Sequence, residues 1–124
     1  MISVRKDLVI ALLSIYGYSL EKVDSFAPGL EQQGLFDPVQ LVKMSHEDIL
    51  KALEKGGYKR GALNGIFTDR LLALGAFIQP QGQASAEKIL KGKDAKKIEA
   101  LLQPIKGVGP KVIDNYFLLR GLKS

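Results

Sequence analysis

Cysteine and tryptophan are absent from this 124-residue chain, histidine occurs once, and aromatic residues make up only 7% of it. Without cysteine there is no disulfide scaffold, no iron–sulfur cluster and no Cys-ligated zinc. Cys–His nucleophilic chemistry is excluded as well, and His46 would have to carry any Ser–His–Asp scheme alone. That histidine stands beside Glu47 and Asp48 at an expected helix start, which fits a structural residue better than a catalytic one. One histidine and carboxylates in capping positions make no metal-ligand set, so neither metal nor cofactor is expected. The apolar stretch Leu8–Ile15 is far shorter than the roughly 18 residues that span a bilayer, and no small-residue cleavage site follows it. No membrane association is expected. No segment alternates apolar and polar residues at period two, so no strand is expected either.

What is present is ordinary globular material. Hydrophobic residues make up 46% and charged residues 25% of 13.6 kDa, enough for one domain over residues 1–124 with a real core. The net charge of +5 is unevenly placed. Residues 1–50 carry four basic and seven acidic side chains, whereas residues 51–124 carry fourteen and six. A basic second half is the pattern expected of a surface that meets a polyanion, although lysines also keep helices soluble.

The periodicity is helical throughout. Leu8, Val9, Leu12, Leu13 and Tyr16 fall on one stripe of a first helix. A short helix near Leu20–Phe26 is expected to close at Pro28 and Gly29. Asp37 before Pro38 suits an N-cap with proline in the first turn. Ser45 and Asp48 have capping-box spacing ahead of Ile49, Leu50 and Leu53, and Gly56-Gly57 ends that helix. The longest helix is expected from near Lys59 to Ile78, with Gly65 either weakening it or permitting a close approach. Gln79–Ser85 reads as a polar loop, Ala86–Leu90 as a short helix and Lys91-Gly92-Lys93 as a turn. Ala95–Gln103 and a helix from Pro110 follow, the latter placing Tyr116 and Phe117 toward the core. The expectation is an all-α, compact bundle of seven or eight helices.

Between the last two helices stands Ile105-Lys106-Gly107-Val108-Gly109-Pro110-Lys111. Glycines permit a tight turn, proline opens the next helix, and the first amides of that helix lack intrahelical partners. With the macrodipole and the flanking Lys106 and Lys111, such a turn suits a phosphate. The unit at about 95–120 resembles the helix-hairpin-helix motif, whose usual hairpin reads Leu-Pro-Gly-Val-Gly followed by a variable residue and Lys. Ile105, Gly107, Val108 and Gly109 match it, whereas Lys106 replaces the proline. Leu12-Leu13-Ser14 and Ser45–Ala62 resemble the endonuclease III-type DNA glycosylases, so the likeness covers most of residues 8–120.

The resemblance implies a helical bundle of the helix-hairpin-helix DNA glycosylase type that grips the backbone of duplex or damaged DNA. It implies contacts from Lys106, Gly107, Val108, Gly109 and Lys111. Tyr58, Lys59 and Arg60 would add backbone contacts or stack on a base, or stand as a solvated helix start. In lyase members of the family a lysine at the position of Lys111 attacks C1′ of the damaged nucleotide as a Schiff-base nucleophile. Lys111 is thus a candidate catalytic residue, a phosphate-neutralising cation, or a solvated lysine. The family's assisting Asp lies beyond the end of the following helix, and the sequence stops at Ser124 before reaching it. Ile15 and Tyr16 stand where the family often places a Gln, and the cluster domain of endonuclease III has no counterpart. Two functions therefore compete: a minimal DNA glycosylase or abasic-site lyase of base excision repair, and a non-catalytic interaction module that keeps the fold. With no targeting or membrane signal in the sequence, a cytoplasmic, nucleoid-associated location is expected by default, and a protein partner or homodimer is compatible with both functions.

Overall fold

The computed structural model describes residues 4–15, 17–36, 38–41, 43–78, 88–105 and 107–122. They form an all-α bundle of eight helices: α1 (Val4–Leu13), α2 (Leu20–Ser25), α3 (Ala27–Gln32), α4 (Pro38–Leu41), α5 (His46–Lys55), α6 (Leu63–Ile78), α7 (Ala95–Leu102) and α8 (Pro110–Leu119). Residues 88–91 add one helical turn, and no strand occurs among the described residues.

Helix α1 is the axle of the fold. Every residue from Asp7 to Ile15 is buried, and α1 packs against α2, α6 and α8. A helix apolar on nearly all sides has no face suited to water, so it is stable only when surrounded. Around it gather Leu53, Phe67, Leu71, Ile98, Leu102 and Tyr116, all essentially inaccessible to solvent. Helix α7 touches the bundle mainly through α8, so α7 and α8 form a hairpin laid against the central helix.

Capping chemistry places several boundaries where local rules put them. Ser45 Oγ accepts from the Asp48 amide at 3.1 Å while Asp48 Oδ2 accepts from the Ser45 amide at 3.2 Å, a complete capping box. Asp94 caps α7 by accepting from the Lys97 amide at 3.2 Å.

Two expectations need correction. Pro28 and Gly29 do not close a helix. Phe26 ends α2 and α3 begins at once, with proline in its first turn, where the missing donor costs nothing. Gly29 has a packing reason instead: a Cβ there would stand 2.7 Å from the Gly56 carbonyl oxygen. The long helix begins at Leu63 rather than near Lys59, and residues 58–60 lie outside any helix. Asn64 holds them there, donating to the Tyr58 carbonyl at 2.7 Å and accepting from the Arg60 amide at 3.1 Å. A Cβ at Gly65 would meet nothing within 4 Å, so this glycine serves no close contact. Asp37, the loop Gln79–Ser85, Ala86 and Tyr16 lie outside the described residues.

The end of α1 is tied down by side chains from far along the chain. Buried Asn115 of α8 donates from Nδ2 to the carbonyls of Ala11 at 3.2 Å and Ser14 at 2.9 Å. Tyr58 donates its hydroxyl to Leu13 at 2.8 Å, and Ser14 donates to Ile10. These bonds satisfy carbonyls that a helix C-terminus leaves without partners. Asn115→Ala is expected to destabilise the fold by about 2 kcal/mol, because two carbonyls lose their donor in a buried setting. Urea unfolding measures the loss, and a change within a few tenths of a kcal/mol would contradict the assignment.

Candidate nucleic-acid interface

Helix α7 ends at Leu102, residues 103–105 and 107–109 lie outside any helix, and α8 begins at Pro110. Gly107 holds a backbone φ of +86°, a region that side-chain-bearing residues avoid. It is also crowded from outside: a Cβ there would lie 2.5 Å from Arg70 Cγ. The stem of Arg70, from α6, therefore lies across the hairpin at Gly107, where no side chain obstructs it. Val108 packs inward at 8% exposure and pins the turn to the core, donating its amide to the Ile105 carbonyl at 3.0 Å. Gly109 is the N-cap of α8 and offers no side-chain cap.

The hairpin, the end of α1 and α6 enclose an open cleft of about 450 Å³. Ile15, Val108 and Val112 supply apolar wall, and Gly107, Gly109 and Pro110 supply the lip. Arg70 and Lys111 supply charge, and no acidic residue lines the cleft among the described residues. The amides of Lys111 and Val112 donate to no backbone carbonyl among the described residues, and the first such bond of α8 runs from Ile113 to Gly109 at 3.1 Å. Arg70 and Lys111, the first turn of α8 and the positive end of its macrodipole border one concave surface, so the cleft favours an anion. A second cavity of about 150 Å³ shares Val108, Gly109 and Pro110 with the cleft and is also lined by Asp114, Glu99 and Gln103.

The residues expected at the site divide into two groups. Gly107, Val108, Gly109 and Lys111 are brought together at the cleft, with Lys111 exposed and outside any ion pair among the described residues. Lys106 lies outside the described residues.

Tyr58, Lys59 and Arg60 part company. Tyr58 is wholly buried, edge-on to Tyr18 at 5.3 Å and to Phe67 at 5.4 Å, so its ring has no free face for a base. Burial pushes its hydroxyl up to about 12, against the opposing influence of Arg60. Tyr58 is a core residue. Lys59 is exposed and does not line the cleft. Arg60 is half-buried and donates from Nη1 to the Ile15 carbonyl at 2.7 Å and to the Tyr58 hydroxyl at 3.0 Å. Its guanidinium carbon lies 4.0 Å from the centre of the Tyr18 ring. These bonds tie its guanidinium to the end of α1, and Arg60 does not line the cleft.

No known protein family, characterised protein or solved structure matches this chain. Its chemistry must be read from its own residues.

Arg70 is the site residue that sequence reasoning misses. It sits on α6 next to Leu71, and nothing local pairs it with a hairpin so distant along the chain. The glycine at Gly107 is the available clue, since close approach of another element is one of two reasons for glycine in a turn. His46, from the start of α5, meets Asp69 of α6 at 3.2 Å on the surface, both about half exposed. Among the described residues no group of three or more His, Asp or Glu side chains is arranged to hold a metal. No helix of the described residues is long and apolar enough to cross a membrane.

Proposed function

We propose that this protein binds the phosphate backbone of DNA through the α7–α8 hairpin, as the resemblance to the helix-hairpin-helix DNA glycosylases implies. The observation that carries the reading is a concave cleft at the α8 N-terminus, flanked by Arg70 and Lys111 and lined by no acidic side chain among the described residues. Backbone amides and cations aimed at one point recognise phosphate oxygens and carry no base preference. The basic excess of residues 51–124 supports the same partner at longer range.

The reading assigns Lys111 to phosphate neutralisation rather than to Schiff-base chemistry. A lyase lysine must present a neutral amine and needs a neighbouring group to manage protons and charge at the sugar. Lys111 is exposed to solvent, and no carboxylate shares its cleft among the described residues. Binding without base excision is the expected activity.

Titration of a labelled duplex at increasing salt tests binding, because each neutralised phosphate adds about −0.9 to the slope of log K against log salt. A slope of about −2 or steeper is expected from two cations; absent binding at low salt, or salt-independent binding, sinks the proposal. Borohydride trapping on abasic-site DNA tests the catalytic alternative. No adduct is expected. An adduct lost in Lys111→Ala would establish the lyase instead.

A further inference from the structure

We propose that Arg60 is a positioning residue of the hairpin cleft, holding the end of α1 so that Ile15 forms the wall facing the hairpin. For its effect on binding the proposal rests on the DNA reading above; its structural consequence is readable without DNA. Ile15 lines the cleft directly across from the hairpin and is only 8% exposed. It lies beyond the last residue of α1, where no helical hydrogen bond fixes the chain. Arg60 supplies that bond from Nη1 to the Ile15 carbonyl, at 2.7 Å.

The arginine is itself held at both ends. Its amide donates to Asn64 Oδ1 at 3.1 Å, its Nη1 also reaches the Tyr58 hydroxyl, and its guanidinium stacks over Tyr18. Tyr58 in turn donates to Leu13, two residues before Ile15. From the opposite side Asn115 holds Ser14, and Asn115 belongs to α8, the helix whose start forms the other wall. One short stretch of chain, Leu13–Ile15, is thereby fastened both to the segment 58–60 and to the hairpin. The spacing between the two walls follows from those bonds.

The guanidinium suits this task and an ammonium does not. A planar group stacks on a ring while donating in its own plane, whereas lysine offers a hydrated point charge on a flexible stem. Arg60→Lys therefore keeps the charge and loses the clamp. A direct phosphate contact would survive that exchange.

The test reads two quantities on folded Arg60→Lys, Arg60→Gln and Tyr58→Phe proteins. In the free proteins, the amide resonances of Ile15, Gly107, Lys111 and Val112 are expected to move in all three. A side chain that served stability alone would lower the melting temperature and leave the hairpin resonances in place. With a labelled duplex, Arg60→Lys is expected to bind about five- to tenfold more weakly at an unchanged salt slope. Unmoved hairpin resonances in Arg60→Lys overturn the proposal. A slope reduced by about 1 in Arg60→Gln also overturns it, since that is the mark of a lost phosphate contact. If the wild-type protein binds no duplex, the DNA reading falls and the resonances alone decide the role of Arg60.

Discussion

Lys111→Glu is expected to weaken binding to a short duplex by roughly thirtyfold at about 0.1 M salt, with the salt slope shallower by about 1. One neutralised phosphate is worth nearly tenfold at that salt, because its release of counterions scales with the logarithm of concentration. A carboxylate in place of the ammonium adds repulsion against the same phosphate. Adding Arg70→Glu removes the second cation lining the cleft, and the double variant is expected to lose several hundredfold, to about the limit of detection at that salt. Lys111 is exposed, so Lys111→Glu should unfold at the wild-type denaturant midpoint. Wild-type affinity in the folded double variant would place the DNA contact elsewhere on the molecule.

Substitution at Gly107 reaches the same cleft by another route. A side chain there must accept a φ of +86° and displace Arg70, whose Cγ would stand 2.5 Å from the new Cβ. Sequence reasoning reaches the first of these two reasons, because a Gly-x-Gly turn before a proline-led helix obeys local rules. It does not reach the second, which joins residues from α6 and the hairpin. The capping box of Ser45 and Asp48, the proline start of α8 and the burial of Leu8, Val9, Leu12 and Leu13 are legible for the same local reason, whereas the burial of Ile10 and Ala11 on the remaining faces of α1, and of Ser14 just after it, is not. Pro28 misleads because proline marks a helix start as readily as a stop, and only the preceding turn at Phe26 distinguishes them.

The segment Tyr58-Lys59-Arg60 shows where composition misleads. Two cations beside an aromatic ring fit a nucleic-acid surface, and the same three residues fit a polar anchor for a buried helix end. What decides is the partner: the carbonyls of Leu13 and Ile15 arrive from the other end of the chain and claim the tyrosine hydroxyl and the guanidinium. Sequence spacing holds no trace of that encounter. The cleft thus combines residues visible in the hairpin motif with supporting residues visible only after folding.

Arg120→Met is expected to destabilise the protein by about 3 kcal/mol at neutral pH, and by much less in acid. Asp7 is buried on α1 at 4% exposure, and Arg120 Nη1 meets its Oδ2 at 3.2 Å from the end of α8. Burial raises the Asp7 carboxyl above its ordinary value of 3.8, while the hydrogen bond and charge of Arg120 hold that rise in check. Because the folded value lies above the unfolded one, the stabilising contribution of protonated Asp7 is complete below about pH 3.8 and is lost as pH climbs through the folded value. Removing Arg120 takes away the two strongest influences that lower it, so the folded value climbs further and the loss extends to higher pH. At neutral pH the variant holds a buried carboxylate without its cation; in acid the group is neutral in both proteins, and only the packing of the arginine stem separates them. Urea unfolding at neutral pH and near pH 3, below the ordinary carboxyl value, measures both deficits. Asp7→Asn in the Arg120→Met background should recover most of the neutral-pH loss, since an amide needs no counter-charge. A deficit that stays constant across pH, or an Asp7→Asn change that restores nothing, would show that the pair fastens α1 to α8 by shape rather than by charge.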